Sequence, residues 1–164
     1  MWQRLPDTGG LKSMNKIEDA FKNKKAFIPF VTAGDPSLDV TRELILAMQE
    51  AGADLIEIGI PFSDPVAEGP VIQEADDRAL SAGVTTDKIF DMVDDIADKI
   101  HVPIVFMTYI NPIYVYGVEK FAKRAKACGA AGVIVPDVPF EEKEEIRGSF
   151  EAEGLVVILS LIHI

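Results

Sequence analysis

Residues 57–69 read EIGIPFSDPVAEG, an apolar strand that runs into a loop rich in glycine and proline. The strand carries one carboxylate, Glu57, between two isoleucines, and the loop carries a second, Glu68. Because burial disfavours a charged group, the apolar strand is expected to raise the pKa of Glu57, as a general acid or base near neutral pH requires. From the strand alone, a glutamate paired with Lys or Arg, or one exposed on an edge strand, is an equally good interpretation.

The rest of the chain alternates apolar runs with amphipathic stretches. Strands are predicted at 26–32, 54–60, 103–109, 132–135 and 155–160. Helices are predicted at 40–51, 71–82, 86–100, 118–127 and 141–153. The strand candidates are apolar nearly throughout, as strands covered on both faces are. Strict alternation of strand and helix predicts an α/β fold with a parallel sheet and right-handed crossovers.

Polar residues and prolines follow the predicted strands. Asp35, Asp64, Asn111 and Asp137 each follow a β run and precede a proline closely. In a parallel sheet these strand ends share the carboxyl edge, where α/β proteins keep their active sites. Local turn chemistry is the alternative interpretation, and it accounts for most of the prolines.

Two α/β architectures compete at this stage. A doubly wound nucleotide fold normally has a glycine-rich phosphate loop after its first strand, and neither G-x-G-x-x-G nor a P-loop occurs in the sequence. A (β/α)8 TIM barrel spreads its chemistry over several strand ends, although such barrels run to about 250 residues. If the chain is such a barrel, it is a partial TIM barrel over residues 14–164, incomplete at the C-terminus, because the 164 residues hold only five predicted strands. Residues 1–13 are interpreted as a leader, tag or artefact before a native start at Met14.

Composition excludes several classes of function. With 16 basic and 27 acidic residues the net charge is −11, which argues against nucleic acid or an anionic membrane as partner. The single cysteine, Cys128, excludes an intramolecular disulfide and a cysteine-based metal site, and is compatible with a reduced, cytoplasmic setting. It is expected to be a packed side chain, and no metal site is predicted. The longest apolar run, residues 155–162, is too short to span a bilayer.

Five segments together resemble the α subunit of tryptophan synthase. They are FIPFVTAGDP at 27–36, EIGIPFSDP at 57–65, GPVIQ at 69–73, YINP at 109–112 and VPDVP at 135–139. The resemblance covers roughly residues 14–157. It implies a (β/α)8 fold, of which about five βα units are present here. It also implies a lyase of tryptophan biosynthesis that cleaves indole-3-glycerol phosphate to indole and glyceraldehyde 3-phosphate by a retro-aldol step.

The resemblance also assigns site residues. Glu57 matches the principal acid/base glutamate of the family, and Glu68 occupies the position of an aspartate that binds the indole N–H. Glu68 is one methylene longer than that aspartate, about 1.5 Å, and a solvated loop glutamate is its alternative interpretation. Phe30 and Tyr109 match aromatic positions that line the indole pocket, with core packing as the alternative for Phe30. Asp137 matches an aspartate near the barrel mouth.

The family assembles as an α2β2 heterotetramer. Its β subunit carries pyridoxal phosphate and receives indole, whereas the α chain itself uses no cofactor. The loop at 61–68 is expected near that interface. The last three βα units, whose loops bind the phosphate group of the substrate, have no counterpart in the sequence, so the chain alone is expected to release little or no indole.

Two rival functions remain open. Another phosphosugar TIM-barrel enzyme would carry an Asp or a Lys on its first strand, whereas the charged position here is Glu57 on the second. A non-catalytic truncated chain is the other rival.

His101 precedes a strand and is expected at the surface, away from the site.

Overall fold

The computed structural model describes residues 16–22 and 24–159. The predicted leader at 1–13, the start at Met14 and the end of the last predicted strand, Ser160, lie outside the described residues.

Strands and helices alternate along the chain. The elements are α1 (Lys16–Ala20), β1 (Phe30–Thr32), α2 (Leu38–Glu50), β2 (Ile56–Gly59), α3 (Pro70–Ser81), α4 (Thr86–Asp94), β3 (Ile104–Met107), α5 (Ile110–Tyr116), α6 (Val118–Ala127), β4 (Gly132–Val135), α7 (Glu144–Ala152) and β5 (Val156–Leu159). Short 3₁₀ turns cover Ala97–Lys99 and Phe140–Glu142.

The five strands form one parallel sheet whose spatial order equals their sequence order, β1-β2-β3-β4-β5. A doubly wound sheet would place its first strand in the interior and helices on both faces. Sequential order with the long helices on one face is instead the pattern of a TIM barrel. The prediction of an α/β partial barrel is confirmed.

Several element bounds differ from the predictions. Strand β4 has its predicted bounds, but the other four strands were predicted too long, because residues at their ends pair through single bonds outside the ladder, such as Ile60 N to the Met107 carbonyl. Two short helices, α1 and α5, were not predicted. The predicted helix at 86–100 ends at Asp94 and continues as a separate 3₁₀ turn.

Helices α2 to α7 cover one face of the sheet, called here the helix-covered face. Its core joins strand residues such as Ile58 and Phe106 to helix residues such as Ile45, Phe90 and Phe121, all fully buried. Phe90 contacts Phe106 and Phe121 edge to face, with ring centroids 5.2 and 5.1 Å apart. Edge-to-face contacts add to the burial of these large rings, so this face is densely packed.

The opposite side of the sheet is called here the open face. Strand register places two rows of residues on it. One row is Phe30, Glu57, Val105, Gly132 and Val156, and the next is Thr32, Gly59, Met107, Ile134 and Ile158. Helix α1 covers the amino-terminal end of this face, where Ile17 packs with Leu55 and Val105. Six of the ten residues in the two rows are only half-buried, so this face holds the accessible part of the sheet.

Cys128 and His101 lie where they were predicted. Cys128 follows α6 in the helix-covered core, and burial raises the pKa of its thiol to about 11, so it is a packed side chain. His101 is exposed before β3. Within the described part of the chain, no helix combines the length and the apolar character needed to cross a membrane.

Candidate functional site

Glu57 lies on the open face in the middle of β2. The side chain is half-buried, and burial alone raises the pKa of its carboxyl group. Among the described residues, no Lys or Arg pairs with it, so the ion-pair interpretation is not supported. Because β2 is hydrogen-bonded to both β1 and β3, the edge-strand interpretation is wrong. What remains is a carboxyl group suited to proton transfer, with no ion-pair partner in the part of the chain that the structure describes.

Phe30 is the register partner of Glu57 on β1 and is half-buried beside it. Its ring lies over Gly59, since a Cβ atom at Gly59 would stand 2.6 Å from the ring atom Cζ of Phe30. Gly59 therefore makes room for the ring on the open face. Sequence analysis did not single out Gly59, although a glycine inside an apolar strand often marks a close approach.

The loop between β2 and α3 folds over the end of β3. Phe62 packs against the buried Tyr109, with ring centroids 5.4 Å apart. The backbone N–H of Ala67 donates a hydrogen bond of 2.9 Å to the Tyr109 hydroxyl. The side-chain amide of Gln73 donates a 2.9 Å bond to the Glu68 carbonyl. These contacts fix the loop against the end of β3 and bring Glu68 close to Tyr109.

Glu68 is half-buried, and its Oε2 atom is buried without a hydrogen-bond partner among the described residues. A solvated loop glutamate would not bury an oxygen, so that interpretation is not supported. The charge of Glu68 contributes, after burial, to raising the pKa of the Tyr109 hydroxyl. Glu68 and Tyr109 therefore form one electrostatic unit at the rim of the sheet.

Asp76 on α3 belongs to the same unit. The side chain is 5% exposed and is the one buried charged residue in the part of the chain that the structure describes. It accepts a 3.5 Å hydrogen bond from the Phe62 N–H. Burial first, and the neighbouring Glu68 charge second, raise the pKa of Asp76 to about 7. Asp76 was not predicted from the sequence, although its spacing from Ile72 and Ala79 puts an acid on the apolar face of the helix.

The predicted site residues thus fall into two groups. Glu57 and Phe30 lie together on the floor of the open face. Glu68 and Tyr109, joined by Asp76, form a cluster at its carboxyl rim, called here the rim cluster. Among the described residues, no charged group of the rim cluster contributes to the raised pKa of Glu57, which burial causes.

Asp137 has a structural role at the same edge. Its Oδ1 atom accepts a 2.9 Å hydrogen bond from the N–H of Ile110, the first residue of α5. A carboxylate at a helix N-terminus satisfies a donor that has no partner inside the helix. Asp137 therefore ties the end of β4 to α5.

The site offers acid/base groups and aromatic surface. No group of three or more His, Cys, Asp or Glu side chains that could hold a metal ion occurs within residues 16–22 and 24–159. The floor supplies one carboxyl group with a raised pKa beside an aromatic ring. The rim supplies a second carboxylate next to a buried tyrosine. A flat, largely apolar substrate that must gain and lose protons fits this arrangement.

Comparison with known proteins identifies the family. The sequence profile described as "Tryptophan synthase alpha chain" matches residues 17–163. The alpha chain of Petrotoga mobilis is 49% identical over 146 residues, covering 89% of this chain and 57% of that protein. The alpha chain of Lacticaseibacillus casei is 47% identical over 145 residues, covering 88% of this chain and 54% of that protein. The chain thus spans a little over half the length of these curated relatives.

Solved structures agree with the sequence relatives. A tryptophan synthase complex from Pyrococcus furiosus matches with a TM-score of 0.78 and 42% identity, over 82% of this chain and 55% of that chain. The alpha subunit from Legionella pneumophila strain Paris matches with a TM-score of 0.83 and 39% identity. This match covers 88% of this chain and 58% of the Legionella chain. The resemblance inferred from the five sequence segments is confirmed, and the chain belongs to the tryptophan synthase alpha chain family.

Proposed function

We propose that this chain supplies the acid/base groups for retro-aldol cleavage of indole-3-glycerol phosphate to indole and glyceraldehyde 3-phosphate, a lyase step of tryptophan biosynthesis. The observation that carries the proposal is Glu57, a half-buried carboxyl group on the open face that has no ion-pair partner within residues 16–22 and 24–159 and whose pKa is raised by burial. Membership in the family supports the substrate and the reaction type.

The cleavage needs two proton transfers. A proton added to carbon 3 of the indole ring places positive charge on the ring nitrogen. Removal of the proton from the adjacent side-chain hydroxyl then lets the carbon–carbon bond break, which leaves an aldehyde and restores the aromatic ring. Glu57 is the proposed group for proton transfer, because its raised pKa brings it closer to the operating pH. Glu68 is the proposed partner of the indole N–H, where a carboxylate stabilises the positive charge.

The indole ring is proposed to lie between the floor and the rim cluster. Phe30 offers an aromatic edge beside Glu57, and Tyr109 with Phe62 offers a tilted aromatic pair at the rim. Aromatic walls suit a flat apolar ring.

A tryptophan synthase β subunit, the proposed carrier of pyridoxal phosphate, is the proposed partner. A similar solved structure from Pyrococcus furiosus is that of a tryptophan synthase α2β2 complex, which supports a heterotetramer. The loop between β2 and α3 bears Val66, and the first turn of α3 bears Val71; these side chains are 79% and 75% exposed. Exposed valines beside the proposed site suit a protein interface near the point where indole leaves. The cytoplasm is the proposed compartment, since it keeps a thiol such as Cys128 reduced.

A chimera tests the proposed function. Residues 16–159 of this chain replace the matching region of the Petrotoga mobilis relative, and indole release from indole-3-glycerol phosphate is measured. We expect indole formation in the chimera and a fall of about a hundredfold or more in kcat for Glu57→Gln, because general acid/base groups contribute on that scale. The exposed Glu119→Gln is the matched control and is expected to leave the rate unchanged. Unchanged turnover in Glu57→Gln would refute the role of Glu57.

The unmodified 164-residue chain provides the baseline of the experiment. We expect it to release little or no indole by itself, because it spans a little over half of its relatives. Turnover close to that of a full-length relative would contradict this expectation.

A further inference from the structure

We propose that Asp76 is a positioning residue that shares one proton with Glu68 and, as the donor, holds the Glu68 carboxylate at the rim of the site. The inference rests on the proposed function only for the task of the Glu68 carboxylate. The proton sharing itself follows from the geometry of the rim cluster.

Burial and contact place the two carboxyl groups together. Asp76 projects from the buried side of α3, and Glu68 enters from the loop, close enough for a hydrogen bond between the two side chains. The Asp76 Oδ2 atom accepts from the Phe62 N–H at 3.5 Å. That backbone contact is long, and among the described residues no hydrogen bond engages the other oxygen of Asp76.

A hydrogen bond between two carboxyl groups requires a proton. Two ionised carboxylates can only accept, and the buried Oε2 atom of Glu68 has no hydrogen-bond partner within residues 16–22 and 24–159. A buried acceptor without a donor costs free energy, and two adjacent buried charges repel each other. One proton on Asp76 removes both penalties, because the neutral acid donates to Glu68 and only one charge remains.

The charged groups around Asp76 favour the shared proton. Glu68 faces it from the loop, and Asp77 adds a second negative charge from the same helix. Tyr109 faces Glu68 from the end of β3. Burial and the Glu68 charge raise the pKa of its hydroxyl, so Tyr109 is neutral near pH 7. Arg78, the nearest cation in sequence, is held by two 2.8 Å hydrogen bonds to Asp35. No cation among the described residues contributes to the pKa shift of Asp76.

Proton sharing gives the longer Glu68 side chain a defined position. A glutamate has one more rotatable bond than an aspartate, so its head group needs an additional contact to stay in one place. Asp76 supplies that contact while it is protonated. Loss of the shared proton at higher pH leaves two adjacent carboxylates and releases the Glu68 head group from the rim.

Carboxyl ¹³C NMR of the full 164-residue chain tests the shared proton. We expect one aspartate carboxyl with a titration midpoint near 7 that is absent from Asp76→Asn. Because coupled groups titrate as a pair, Glu68→Gln is expected to lower that midpoint by about one unit. Asp77→Asn removes one exposed charge from the same helix and is expected to move the midpoint much less. An Asp76 that titrates in the ordinary range, or a midpoint that Glu68→Gln does not move, would overturn the proposal.

Activity of the chimera tests the positioning role separately. The parent chimera is expected to lose kcat at pH 8, where Asp76 gives up the shared proton. Asparagine keeps a hydrogen-bond donor at every pH. The kcat of Asp76→Asn is therefore expected to stay within about twofold of the parent at pH 6 and to show no such loss at pH 8. Valine has no hydrogen-bond donor, so the kcat of Asp76→Val is expected to fall about tenfold at both pH values, on the scale of a misplaced active-site group. Equal losses in both variants would overturn the positioning role. A chimera without activity in any variant would refute the proposed function and leave the NMR result standing.

Discussion

The two faces of the sheet differ in almost every physical respect. On the helix-covered face, strand residues such as Ile58 and Phe106 are fully buried against the helices. On the open face, residues in the same strands, such as Glu57 and Met107, are half-buried, and the one carboxyl group there has no ion-pair partner among the described residues. Close packing is therefore concentrated on one face and the proposed chemistry on the other, although neighbouring residues of each strand contribute to both.

This division explains why a carboxylate is tolerated inside β2. Desolvation destabilises the charged form of Glu57, and the densely packed helix-covered face supplies the free energy that offsets this cost. The first prediction compares equal substitutions on the two faces.

Ile58→Ala and Ile158→Ala remove the same atoms from opposite faces. Ile58 is completely buried against the helices, so its substitution is expected to lower the free energy of unfolding by about 4 kcal/mol. Ile158 is half-buried on the open face, and its substitution is expected to cost about 1 kcal/mol. Urea denaturation followed by circular dichroism measures both. Equal losses would show that the open face is packed as densely as the other and would break the comparison.

Asp76→Asn tests the electrostatic cost at the rim. The folded-state pKa of Asp76 lies near 7, above its ordinary value of 3.8, so the native state holds a proton that the unfolded state releases between these values. Stability therefore falls as pH rises from about 4 to about 7. Asparagine removes this loss, and the variant is expected to gain between about 1 and 4 kcal/mol over the parent at pH 8 and almost nothing at pH 4.

Thermal unfolding at several pH values measures the gain, with Asp77→Asn as the matched control. Asp77 is exposed, so the same change of charge is expected to leave the pH dependence nearly unaltered. A constant difference between parent and Asp76→Asn at every pH would contradict the raised pKa of Asp76.

Gly59→Ala tests the floor of the site. The added methyl group would meet the Phe30 ring, so the substitution is expected to cost between about 1 and 3 kcal/mol through overpacking. In the double variant with Phe30→Ala, the clash is removed and the added cost of Gly59→Ala is expected to vanish. A double-mutant cycle from urea denaturation measures this coupling. Additive losses would show that the ring does not lie over Gly59.

Tyr109→Phe has the smallest expected effect on stability. It removes the acceptor of the Ala67 N–H and leaves the aromatic packing with Phe62 in place, so the cost is expected to be about 1 kcal/mol. Amide hydrogen exchange at Ala67 is expected to accelerate, while exchange in β3 stays unchanged. Unaltered exchange at Ala67 would mean that the hydroxyl does not hold the loop.

The sequence predicted the helix-covered face better than the open one. Apolar runs and helical periodicity are local signals, and they located all five strands and the longer helices. Helices α1 and α5 are five and seven residues long, too short for periodicity to indicate. At the start of helix α5, the Ile110 N–H donates a hydrogen bond to Asp137, which lies 27 residues further along the chain. Such a long-range cap leaves no local signal.

The candidate site was predicted in the same uneven way. Glu57 was found because a carboxylate inside an apolar run is visible in the sequence. Asp76 and Gly59 were missed because their importance depends on residues that only the fold brings close, Glu68 for one and Phe30 for the other. The absence of an ion pair at Glu57 also required the three-dimensional structure.

The titration of Glu57 tests the central claim, that the open face holds an unpaired carboxyl group for proton transfer. Carboxyl ¹³C NMR of the full chain, with Glu57→Gln to assign the signal, measures its midpoint directly. The account predicts a midpoint above the ordinary value of 4.5 that Glu68→Gln leaves unchanged, because burial alone raises the pKa. A midpoint at or below 4.5 would mean that a cation or a hydrogen-bond donor pairs with Glu57, and it would contradict the account.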